Sequence, residues 1–125
     1  MYIIYICSGG VPKVWWYGVF DSHYQALVID LYDTSLRDLL RHHNHSLPIP
    51  TIVNIATKLL PILADIHNHS IIHRDIKPHN IGIRQGHDGQ PDEYYLFDFG
   101  ISKTYMLSDN EHIMFRDNKG EEGTE

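Results

Sequence analysis

Cys7 is the only cysteine among the 125 residues, so no disulfide can form within the chain and a four-cysteine zinc site is out of reach. A reducing compartment, cytoplasm or nucleus, is the expected setting. No unbroken apolar run approaches the ~18 residues of a membrane-spanning helix, so no membrane is expected as a partner. The apolar start, Met1 to Cys7, lacks the positive flank of a secretory signal and is expected to pack as a core element. A basic stripe is missing too. The formal net charge is −6, and residues 109–125 carry Asp109, Glu111, Asp117, Glu121, Glu122 and Glu125 against only Arg116 and Lys119. Phosphate contacts dominate nucleic-acid affinity, which excludes nucleic acid as the expected partner. The acidic end reads as a solvated flank. There is no internal repeat and no low-complexity tract.

What remains is an ordinary globular composition, 42% apolar and 21% charged, which excludes disorder for the chain as a whole. Val14-Trp15-Trp16-Tyr17-Gly18-Val19-Phe20 and Tyr24-Gln25-Ala26-Leu27-Val28-Ile29-Asp30 flank the turn formers Asp21-Ser22-His23, the pattern of a β-hairpin. Ser35, with Asp38 three residues on and Leu36, Leu39 and Leu40 at helical spacing, predicts a capped short helix. Thr51 opens a longer helical pattern with Ile52, Ile55, Leu59, Leu63 and Ile66 on one face, and Pro61 inside it is expected to kink the helix or break a backbone bond. Ile81-Gly82-Ile83 and Tyr94-Tyr95-Leu96-Phe97 read as short strands around a loop. Ten histidines are an excess. His42, His43 and His45 cluster beside Pro48 and Pro50, either as a solvated loop or as a histidine-based metal binder.

Two short motifs carry chemistry. His73-Arg74-Asp75 with Asn80 five residues past the aspartate has the form H-R-D-x-x-x-x-N, and Asp98-Phe99-Gly100 begins 23 residues after Asp75. Either alone is weak. Together, in this order, after a long helix and across a strand–loop–strand, they match the catalytic loop and metal-binding turn of protein kinases. Phosphoryl transfer needs an acceptor hydroxyl in line with the γ-phosphate and charge neutralisation on the transferring oxygens. Asp75 suits the first need as the group that accepts or orients the hydroxyl proton. Lys77 supplies positive charge, and Asn80 and Asp98 offer the hard oxygen donors that Mg²⁺ prefers. His73 and Arg74 are expected to act structurally, His73 under the loop and Arg74 on the activation segment or on Asp98.

At finer grain the chain resembles the casein kinase I family of serine/threonine kinases. Val11-Pro12-Lys13-Val14-Trp15-Trp16-Tyr17-Gly18 is similar to that family's approach to its fourth strand. Ile29-Asp30-Leu31-Tyr32-Asp33-Thr34-Ser35-Leu36-Arg37-Asp38-Leu39 resembles its gatekeeper, hinge and following helix. Ile101 to Tyr105, His112 to Lys119, and Gly123-Thr124 are similar to parts of its activation segment. The resemblance implies an α+β, partial protein-kinase-like fold. Residues 1–32 would be an N-lobe remnant and hinge, 33–108 the C-lobe catalytic core, and 109–125 an incomplete activation segment. It implies ATP and Mg²⁺ as cofactors and a protein carrying Ser or Thr as substrate. Ile29 would be the gatekeeper, backbone groups of Asp30 and Tyr32 would meet the adenine edge, and Val28 would lie near the back of the pocket.

The departures bear on activity. These residues include no G-x-G-x-x-G, no V-A-I-K lysine and no paired glutamate, all of which kinase catalysis uses. The 125 residues are therefore expected to be the middle of a larger kinase domain and to turn over little by themselves. A second reading is a non-catalytic kinase remnant whose exposed core surface is covered by a partner.

Overall fold

The computed structural model describes residues 9–106 and 111–114. The apolar start and most of the acidic stretch 109–125, with its Gly-Thr pair, lie outside the described residues. The elements follow in the order β1 (Val14–Asp21), β2 (Tyr24–Ile29), β3 (Thr34–Ser35), α1 (Leu36–His42), α2 (Ile49–Asn68), β4 (Ile71–Ile72), β5 (Ile81–Arg84), β6 (Glu93–Leu96) and β7 (Lys103–Thr104). A 3₁₀ turn, Pro78–Asn80, precedes β5. The mixture is α+β, as expected.

β1 and β2 form an antiparallel hairpin closed by Ser22 and His23, where the Asp21 carboxylate takes the His23 amide at 2.7 Å. Register slips between Val14 and Trp16 and again between Val19 and Asp21, so Trp15 and Phe20 are the extra residues of two β-bulges. A separate sheet, in the order β3-β5-β6, is antiparallel throughout, and β4 pairs with β7.

α1 begins where the sequence places it. Ser35 sits in an extended conformation and its hydroxyl accepts from the Asp38 amide at 3.1 Å, which satisfies one donor that the first turn leaves open. α2 departs from expectation in two ways, in its start and in its buried face. It starts at Ile49, because Pro50 falls in the first turn, where a missing amide costs nothing. At Pro61 it does as expected: the helix continues, and one backbone bond is lost because no amide meets the Thr57 carbonyl. Both residues are exposed, which leaves the freed carbonyl open to solvent. Its buried face is Ile55, Ile62 and Ile66 with Leu59 and Leu63 beside them, while Ile52 is exposed. This 20-residue helix is also long and apolar enough to cross a membrane by length and composition, a length the unbroken apolar runs did not reveal. Here that inner face is part of the core.

The core gathers α2, Leu36, Ile71, Ile81, Ile83, Tyr94 and Leu96, with Ile66 and Leu96 almost wholly buried. Gly10 itself lies against it. Its φ of 73° suits glycine, a Cβ there would meet Ile62 at 2.2 Å, and its carbonyl accepts the Leu96 amide at 2.7 Å.

Truncating the core should show where the stability lies. Ile66→Ala or Leu96→Ala is expected to cost about 2–5 kcal/mol, whereas Leu31→Ala, at a fully solvated position, should stay within about 0.5 kcal/mol. Urea unfolding of the three variants measures the difference.

Candidate active site

The chain leaves β4 into a loop that carries Asp75, Lys77 and Asn80 to one point. Lys77 Nζ lies 2.8 Å from Asp75 Oδ2, and Asn80 Nδ2 donates to the same oxygen and to the Asp75 carbonyl, both at 2.9 Å. Asp75 and Asn80 are buried, so these bonds replace lost hydration. With both amide hydrogens committed to Asp75, Asn80 presents its Oδ1 elsewhere, the atom that a hard cation takes.

His73 is 1% exposed and ties this loop to the end of β6. Its Nδ1 accepts the Asp75 amide at 3.2 Å, so Nε2 carries the proton and donates to the Phe97 carbonyl at 3.0 Å. The ring also meets the Phe99 ring edge-on at 4.7 Å between centroids. Phe97 returns a backbone bond, its amide to the Asn80 carbonyl at 3.0 Å. The two motifs that were distant in sequence are thus linked by one imidazole and one backbone bond. Arg74 takes the first of its two expected roles, donating from Nε to the Ile101 carbonyl at 2.5 Å and so holding the start of the segment after Asp98.

Arg74 and Asp98 both occupy the left-handed region, at φ 70° and 64°. Side chains rarely adopt it, and such residues concentrate at functional sites. The Asp98 Oδ1 accepts the Gly100 amide at 3.3 Å, which closes the turn beneath the carboxylate.

Above Asp98 lies a cleft of about 470 Å³ between the hairpin and the end of β6. Val11, Pro12, Val14, Leu27 and Ile29 form one side, with Phe97, Asp98, Phe99, Gly100 and Ser102 on the other. A mostly apolar wall with one carboxylate end is the usual build of a small-ligand site. Of the residues expected to bind cofactor, Ile29 and Asp98 line it. Leu27 takes the wall position expected of Val28, which does not line the cleft. Asp30 and Tyr32 stand outside its walls. The Asp30 carboxylate turns to β1, and the Tyr32 ring turns inward, stacking on Phe97 at 5.3 Å and tilting against Tyr95 at 5.5 Å over Gly82, where a Cβ would meet it at 2.6 Å. Burial, with the Asp30 charge next, pushes the Tyr32 phenol far above its ordinary range. Sequence reasoning missed this aromatic stack, for which only the glycine opposite an aromatic hinge gave a sign.

The histidine cluster lends no support to a metal binder. Among the described residues no group of three or more His, Cys, Asp and Glu side chains could hold an ion, and His42, His43 and His45 are exposed. Oxygen donors from Asn80 and Asp98 remain the fitting set for Mg²⁺.

Burial lowers the basicity of His73 despite the opposing pull of the Phe97 carbonyl and of Asp75 and Asp98. The unfolded chain therefore takes up a proton at this residue before the folded chain does. Stability from this group is complete above the ordinary histidine range and is lost as pH falls through about 6.5 and below. Thermal melts from pH 7.5 to 5.5 should show a fall in Tm for the unaltered chain that is shallower in His73→Gln, which starts from a lower Tm at pH 7.5.

Comparison with known proteins agrees with this geometry. The family model described as the protein kinase domain matches residues 14–121. Casein kinase I homolog 2 of Saccharomyces cerevisiae is 36% identical over 126 residues, covering 98% of this chain and 22% of that protein. Casein kinase I homolog RAG8 of Kluyveromyces lactis is 37% identical over 120 residues, covering 94% of this chain and 22% of that protein. The chain thus spans about a fifth of the length of these curated relatives. With the Asp75–Lys77–Asn80 loop, the Asp98 turn and the cleft in place, the chain belongs to the protein kinase family and within it is casein kinase I-like.

Proposed function

We propose that this chain supplies the nucleotide cleft, catalytic loop and metal-binding turn of a serine/threonine protein kinase that uses ATP and Mg²⁺. The observation that carries the reading is the Asp75–Lys77–Asn80 knot joined through His73 to the Asp98 turn at the mouth of the cleft.

The apolar walls around Ile29 suit a purine, and backbone groups of the Asp30–Tyr32 segment would meet its edge. Asn80 Oδ1 and the Asp98 carboxylate would hold Mg²⁺, which would supply positive charge against the phosphates. Asp75 is fixed at Oδ2 by two donors, so it can orient a Ser or Thr hydroxyl without moving. The hydroxyl proton passes to the Asp75 carboxylate as its oxygen bonds to the γ-phosphorus, and ADP departs with the bridging oxygen. Lys77 balances the charge that gathers on the transferring oxygens. A protein bearing an exposed Ser or Thr is the substrate class, and cytoplasm or nucleus the setting, since ATP and reduced thiols are found there.

Ligand-induced stabilisation tests the reading. At a concentration about 100 times Kd, Mg·ATP should stabilise the chain by about 2.7 kcal/mol, seen as a rise of several degrees in Tm. Asp98→Asn should lose most of the increment that Mg²⁺ adds to ATP alone, while Asp75→Asn should keep it. An unchanged Tm with Mg·ATP would discard the proposal.

A further inference from the structure

The hinge begins at a side-chain clamp. The Asp30 carboxylate accepts the Lys13 amide at Oδ2 and the Trp15 indole N–H at Oδ1, each at 2.8 Å, while the Asp30 amide donates to the Lys13 carbonyl at 3.2 Å. Trp15 reaches it because it is the extra residue of the first β-bulge, which re-aims its side chain. The Lys13 ammonium then sits 3.7 Å over the indole ring and closes the cluster. The Lys13 amide, followed by the indole, holds the Asp30 carboxyl below its usual range, so the acceptor stays charged near neutral pH.

Both neighbours of this clamp are cleft walls. Val14 follows Lys13, Ile29 precedes Asp30, and the two are paired across the hairpin. On the other side, Asp33 makes a second tie: its amide donates to the Ile83 carbonyl at 3.1 Å and its carboxylate accepts the Gln85 amide at 2.8 Å. Only Leu31 and Tyr32 lie between the two ties. The backbone that faces a base at the cleft edge is therefore fixed at both ends by aspartates that do not line the cleft.

We infer that Asp30 is a positioning residue for the nucleotide base, acting through Lys13 and Trp15 to hold the two strands and the hinge backbone in binding register. The inference rests on the nucleotide reading above and adds a residue whose effect falls on the base and leaves the phosphates alone. That division is what a merely structural role would not produce.

Two probes separate the ends of the cleft: adenosine for the base side, and Mg²⁺ with tripolyphosphate for the Asp98 side, each titrated against the chain by thermal shift and by tryptophan emission. Asp30→Ala should weaken adenosine about tenfold, as expected for the loss of charge-assisted hydrogen bonds, and leave Mg·tripolyphosphate within about twofold. Trp15→Phe keeps an aromatic face for Lys13 and loses the N–H donor with the pyrrole ring, so it should give a smaller loss of the same kind, and Asp30→Asn should fall between the unaltered chain and Asp30→Ala. Asp98→Asn should show the opposite pattern. Unchanged adenosine binding in both Asp30→Ala and Trp15→Phe would overturn the inference and leave the nucleotide reading standing. Equal weakening of both probes in Trp15→Phe would overturn it as well, since the clamp would then serve the fold at large. No response of the unaltered chain to Mg·ATP would remove the nucleotide reading and this inference with it.

Discussion

A buried imidazole must spend both of its nitrogens, and that requirement organises this molecule. His73 has no water to turn to, so one nitrogen takes the Asp75 amide and the other gives its proton to Phe97. Each bond fixes a different motif. Because one ring can be in only one tautomer, the two bonds also enforce one another: Nδ1 can accept only while Nε2 donates. Asp75, Asn80 and the Asp98 turn inherit their placement from that choice. An apolar residue of similar shape could fill the space but would leave the Asp75 amide and the Phe97 carbonyl without their partners.

The rest of the architecture divides between a well-buried centre and an exposed hairpin. α2, β5 and β6 carry the core, whereas the hairpin shows Trp15, Trp16, Tyr17, Phe20 and Tyr24 to solvent. A two-stranded ribbon is marginal by itself, so its hold on the centre matters. That hold runs through its two flanks, Gly10 bonded to Leu96 with Val11 packed on the core, and Asp33 bonded to Ile83 and Gln85, while Asp30 on Lys13 and Trp15 ties the flanks to each other. The cleft lies where these ties converge, with an apolar roof that the hairpin supplies and a carboxylate floor that the centre supplies.

Much of this was legible in the sequence, and what was legible was local. Alternating aromatic and β-branched residues around Asp21-Ser22-His23 specify the hairpin, Ser35 and Asp38 specify a cap, and the spacing of Asp75, Asn80 and Asp98 specifies the chemistry. Pro50 misled about the start of α2 because a proline reads as a breaker unless it falls in a first turn. Ile52 and Ile62 exchanged roles because periodicity defines a face only up to the direction in which the helix is docked. The Trp15–Asp30 clamp and the Tyr32 stack on Tyr95 and Phe97 depend on a bulge and on pairings tens of residues apart. The partners of the stack share no window of sequence, and the clamp, although both its partners lie in the hairpin window, needs the bulge, so composition and period could not show them.

Arg74 and Asp98 share the left-handed backbone, and this sets stability against use at both positions. A glycine at either one would relieve about 1–2 kcal/mol of steric cost. It would also delete the guanidinium that holds Ile101 or the carboxylate that faces the cleft. A library of variants sorted only for heat resistance would therefore drift toward glycine at these positions and lose the site while the fold improved. Keeping both side chains in this costly conformation trades robustness for the bond to Ile101 and the charge at the cleft.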